Sequence, residues 1–182
     1  MLYYLRLMLQ LIMAPSHGWE DVAECSRSAR YIFAAGLVPI SVAAALCVYF
    51  SAIYDHHPSG WLMTLHAVVT FAELFLTYFV GMLVMLSCLP HITTTHKANE
   101  ERVGLFLSLA IGMMATISII RSVLPAKIPL FEFLPIFVLV VMCRGREFLD
   151  VAEESMFKFM ALNIVAAILP IYLIDWLFSA II

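Results

Sequence analysis

The stretch Leu62–Leu89, LMTLHAVVTFAELFLTYFVGMLVMLSCL, has the length of a membrane crossing and carries polar side chains in its middle. At about 1.5 Å per residue it runs roughly 42 Å, against the roughly 30 Å of a bilayer core. His66, Thr70, Glu73 and Thr77 follow one another at spacings of 4, 3 and 4. At about 100° per residue they gather within roughly 60° of one helix face. An acidic side chain facing lipid at mid-bilayer costs about 2.5–3.5 kcal/mol on insertion scales, so this stripe is expected to face protein or water. The other apolar segments then form the wall that shelters it.

Composition points the same way. Of the 182 residues, 64% are hydrophobic and 13% charged, and the mean hydropathy is +1.00. That is an integral membrane protein, with almost every residue used in or between spans and no room for a separate soluble domain. The net charge of −3 offers no basic patch for nucleic acid. Cys25, Cys47, Cys88 and Cys143 are scattered without metal-ligand spacing and are read as free thiols acting as small hydrophobes.

Residues 1–14 form an apolar helix broken by Arg6 and Gln10 on one face. It is too short to span and has no basic leader or A-x-A site, so it is expected to lie amphipathically in the cytoplasmic interface. Pro15 to Trp19 reads as a break, and Glu20 to Arg30 as a short polar helix; 1–30 is thus an interfacial segment. Spans are expected at about 31–54, 62–89, 103–124, 128–143 and 156–182, in one all-α bundle over 1–182. The fourth, at about 24 Å, is marginal or re-entrant. Pro39 lies inside the first span and Pro170 inside the last, where neighbouring groups must satisfy the freed carbonyls. Gly104, Ser108, Gly112 and Thr116 recur every fourth residue and predict a helix–helix contact face against the first or second span. Phe148–Lys158 is expected to be a second interfacial helix.

Placing the N-terminus inside puts Arg6, Arg27, Arg30, Lys97, Arg102, Arg144, Arg146 and Lys158 on the cytoplasmic side and only Arg121 and Lys127 outside. The C-terminus is then outside. Arg121, Glu132 and Asp175 fall in the outer half as candidate ion-pair partners, and Glu73 falls near the level of Ser118 and Tyr172.

The order of features resembles the Yip1 family of five-span membrane proteins, in particular its short bacterial members. The matching pieces are Pro15…Trp19…Val22, the early Pro39, and the Leu124-Pro125 break. They continue with Arg144-Gly145-Arg146-Glu147-Phe148-Leu149-Asp150-Val151 and a last span centred on Leu169-Pro170. The resemblance implies five helices with a cytosolic N-terminus. Eukaryotic members pair with Rab-type GTPases through a long N-terminal region that this chain lacks, so no Rab contact is carried over. A bacterial inner membrane is the expected setting, with a eukaryotic endomembrane as the alternative.

No catalytic set stands out, and no cofactor or metal is expected. His56-His57 is a turn, and His91, His96 and Glu100 belong to a solvated loop. His66 and Glu73 are about 10 Å apart along the axis, too far for a direct acid–base pair. The expected function is a non-enzymatic scaffold or partner-binding component of the bilayer, with a membrane or cytoplasmic protein or a second copy as partner. The alternative is a transporter, or a passage for lipid or ions, along His66, Thr70, Glu73 and Thr77.

Overall fold

Apolar helices follow one another along the chain, and a computed structural model describes residues 1–51, 59–94, 98–124 and 130–179. The elements are α1 (Leu2–Met13), α2 (Pro15–Ala23), α3 (Ala29–Phe50), α4 (Gly60–Cys88), α5 (Glu100–Val123), α6 (Leu130–Arg144) and α7 (Glu153–Phe178). Among the described residues the fold is all-α apart from one antiparallel bridge, Thr93 to Val151. Four helices, α3, α4, α5 and α7, are long and apolar enough to cross a membrane, which makes this a polytopic membrane protein. The 15 described residues of α6 reach about 22 Å, so among the described residues four of the five expected crossings meet the length requirement.

Side-chain caps set several helix starts. Asn99 accepts from the amides of Glu101 and Arg102 at 3.0 and 3.3 Å, Ser59 from Leu62 and Ser28 from Tyr31. The Glu101 carboxylate also accepts from the Ala29 amide at 2.7 Å, fixing the start of α3 beside the start of α5. The same end carries Arg102, which donates to Asp150 at 2.8 Å and to the Phe148 carbonyl at 3.1 Å. We call it the polar rim.

The centre of the bundle is α5. Of its most apolar 18 residues 72% are buried, against 33% in each of α3, α4 and α7. Sequence alone had put α4 at the centre; small residues explain the difference. A Cβ on Gly104 would sit 2.8 Å from Ala29 of α3 and 3.3 Å from the Tyr78 hydroxyl of α4. Both expected spans therefore pack on this face. The unexpected third neighbour is α1: Tyr4 fits over Gly36 and Gly112 and donates a 2.6 Å hydrogen bond to the Ser108 carbonyl.

That contact amends the expectation for α1. One face, Tyr4, Leu7, Met8 and Leu11, is buried, so the helix is amphipathic. Yet its exposed face sets Leu2, Leu9 and Met13 beside Arg6, and Ser108 lies eight residues, about 12 Å, along α5 from Glu100. The helix leans into the bundle and does not lie flat on its surface. The break falls at Ala14, between α1 and α2, and Pro15 opens α2, where its missing N–H costs nothing.

Two prolines leave matching marks. A π-helical turn, Phe33–Leu37, ends two residues before Pro39, and another, Ile164–Ile168, ends two residues before Pro170. Proline has no N–H for the carbonyl four residues back and crowds it, and a widened turn relieves both. For Pro170 that carbonyl is Ala166, and it faces Gly81 so closely that a Cβ there would lie 2.7 Å from the oxygen. Only glycine allows α4 and α7 to meet at this depth.

The interfacial helix expected at Phe148–Lys158 does not form. Residues 145–150 are turns, Asp150 has φ +55°, and helix resumes only after Ala152. The reason is competition: the Asp150 carbonyl accepts from the Thr94 amide at 3.0 Å, Ile92 accepts from Ala152 at 3.1 Å, and Arg102 holds the Asp150 carboxylate. Asp tolerates the left-handed region better than most residues.

Candidate functional site

Helical spacing delivers three of the four stripe residues to one cavity. His66, Thr70 and Glu73 of α4 line a recess of about 400 Å³ at the end opposite the polar rim. Facing them are Ser118, Arg121 and Ser122 of α5 and Tyr172 and Asp175 of α7, with Pro135 of α6 closing one side. The fourth residue, Thr77, is one turn deeper, fully buried, and its hydroxyl has no hydrogen-bond partner among the described residues.

The recess is graded in depth. His66, Arg121, Tyr172 and Asp175 are exposed at its mouth, whereas Thr70 and Glu73 are half-buried. Glu73 lies 13 residues from Gly60 and 15 from Cys88, close to the middle of α4. Its carboxylate thus reaches a concave, protein-walled space at a level where contact with acyl chains would be costly. Among the described residues no salt bridge joins Arg121 to Glu73 or Asp175. The side chain of Glu132 lies outside what is described, as do His56, His57, His96, Lys97, Pro125 and Lys127. Among the described residues no three of His, Cys, Asp and Glu group as metal ligands, and the four cysteines are free thiols.

Chemically the recess holds hydroxyls, an imidazole, a guanidinium and two carboxylates. Among the described residues none is in hydrogen-bond contact with another, so no nucleophile–base pair is assembled among them. It can hydrate, bind a small polar group, or hold helices by water-bridged hydrogen bonds.

Two other positions singled out in the sequence, Trp19 and Gly145, meet at the polar rim. Trp19 donates from Nε1 to the Val141 carbonyl at 2.9 Å, satisfying an acceptor in the last turn of α6. Its ring stacks on Phe106 at 4.9 Å and Phe148 at 5.4 Å. A Cβ on Gly145 would come within 2.8 Å of both the Trp19 and Phe106 rings. Sequence reading missed two buried groups of comparable weight. Tyr4 gives no local signal, because its partners are more than 30 residues away. The other, Asn163, is fully buried in α7, and its amide has no hydrogen-bond partner among the described residues.

No protein-family model matches the chain, and no match is found among curated proteins or solved structures.

Proposed function

We propose that this chain is a non-enzymatic component of the membrane that works by binding, as a scaffold or partner-binding protein, and that the recess around Glu73 is a sheltered seam and not a passage. The observation that best supports this reading is the unbroken buried run Val103–Ala115 of α5. It stands between the recess and the polar rim. Beyond Thr77 the α4 face turns to Gly81 against the Ala166 carbonyl and to Met85, with no His, Asp, Glu, Lys or Arg to continue a path among the described residues.

The finer assignment rests on charge. With α6 as a fifth crossing, the polar rim faces the cytoplasm, the N-terminus is inside and the C-terminus outside, as the distribution of Lys and Arg favours. Short Yip1-like proteins of a bacterial inner membrane remain the family we propose, on the motifs Pro15, Trp19, Pro39, Gly145 and Pro170. The partner is a membrane or cytoplasmic protein, or a second copy.

The second reading is transport, and one observation favours it: ionisable groups from α4, α5 and α7 converge on one cavity with no salt bridge between them among the described residues. Proteoliposomes separate the two. Binding predicts proton and lipid flux no faster than in protein-free vesicles, and unchanged partner recovery for Glu73→Gln. Flux by the wild-type protein that Glu73→Gln abolishes contradicts it.

A further inference from the structure

A second and larger recess, of about 900 Å³, opens at the polar rim between α2, α6, the 145–153 segment and the start of α7. Its two parts differ in chemistry. The inner wall is apolar: Ile136, Leu139 and Val140 of α6 face Met156 and Met160 of α7. Ile136 and Val140 are 57% and 49% exposed, so this wall is open to the surroundings of the bundle. It extends from Arg144 back to Ile136, eight residues or about 12 Å along α6.

The mouth is charged, and most of its charges are already matched. Arg102 is held by Asp150 at 2.8 Å, and Arg146 lies between Glu153 at 3.1 Å and Glu147 at 3.6 Å. Of the three guanidiniums and four carboxylates that line the mouth, Arg144 and Glu20 stand outside these pairs. Arg144 is exposed and has no salt bridge among the described residues; Glu20 meets the exposed His17 ring at 3.1 Å and no guanidinium among the described residues. A guanidinium without a carboxylate and a carboxylate held by an exposed imidazole, above an apolar trough that runs into the bundle, form the complement of a zwitterion with a hydrocarbon tail.

We propose that this recess binds one aminophospholipid of the phosphatidylethanolamine class, its phosphate on Arg144, its primary ammonium on Glu20, and an acyl chain along Ile136 and Val140. A guanidinium is suited to phosphate by its fork of N–H donors. A primary ammonium donates hydrogen bonds to a carboxylate, which a quaternary choline headgroup does not, so the site distinguishes the two zwitterions. The inference does not depend on the role of the Glu73 recess, at the other end of the molecule.

Trp19, which lines the recess, reports occupancy. The full chain carrying Trp61→Phe and Trp176→Phe is placed in phosphatidylcholine nanodiscs containing increasing brominated phosphatidylethanolamine, phosphatidylcholine or phosphatidylglycerol, and Trp19 quenching is recorded. The expected result is saturable quenching at low mole fraction by the ethanolamine lipid alone. Arg144→Gln and Glu20→Gln should each weaken it about tenfold. Neither side chain packs in the core, and an unchanged far-UV spectrum confirms that the variants are folded. Quenching that rises linearly and equally for all three lipids, that favours the anionic lipid, or that both variants retain overturns the proposal.

Discussion

Replacing Gly112 by alanine is expected to expel the Tyr4 ring from its seat and to destabilise the protein by about 1–3 kcal/mol, although alanine is the better helix former. The new methyl group would fall on the Tyr4 hydroxyl, 2.8 Å from its ring carbon Cζ and 2.9 Å from the Met8 sulfur. Gly36→Ala should behave alike, since its Cβ would enter the other side of the same ring. The decisive part is the coupling. Tyr4→Ala alone should cost about 3–5 kcal/mol, as loss of a buried aromatic does. In that background Gly112→Ala should become neutral or stabilising, because the atom it strikes is gone. Gly60→Ala, where nothing lies within 4 Å, serves as the neutral control. Thermal unfolding in mild detergent measures the four single variants and the double variant. Additive losses for Tyr4→Ala and Gly112→Ala would mean that α1 does not dock on α5.

Trp19→Ala is expected to be comparably damaging, at about 3–5 kcal/mol. It removes a ring 3% exposed that stacks on two phenylalanines, and it leaves the Val141 carbonyl without its indole donor. Trp19→Phe keeps most of the stacking and should lose about 1 kcal/mol, the worth of one hydrogen bond. Because α2 reaches α6 through this ring, limited proteolysis should cut between α2 and α3 sooner in the alanine variant than in the phenylalanine one. Equal stability of the two variants would remove the indole–carbonyl bond from the account.

The residues that sequence could place are those whose meaning is local. Hydropathy marked α3, α4, α5 and α7, and the 4, 3, 4 spacing put His66, Thr70 and Glu73 on one face, because both signals are written within a single helix. The small-residue track of α5 announced a contact face for the same reason. What it did not announce was the third neighbour. Tyr4 meets Ser108 across 104 positions and Trp19 meets Val141 across 122, and no periodicity encodes such a pairing. Phe148–Lys158 failed differently. Its apolar spacing suits a helix, but Arg102, Thr94 and Ile92 offer Asp150 and Ala152 partners that a continuous helix would forgo. Tertiary hydrogen bonding overrode local pattern. The π turns before Pro39 and Pro170 were likewise beyond reach, since proline predicts a disturbed helix but not how the disturbance is absorbed.

The account depends above all on the Glu73 face of α4 being turned to protein and water and away from acyl chains. Single cysteines at 66, 70 and 73, and at positions 68 and 79 on the opposite, exposed side of α4, carry a spin label in nanodiscs and are tested against a water-soluble and a bilayer-soluble relaxant. The prediction is that 66, 70 and 73 respond to the water-soluble agent and 68 and 79 to the bilayer-soluble one. A label at 73 that relaxes with the bilayer-soluble agent as strongly as one at 68 contradicts the account.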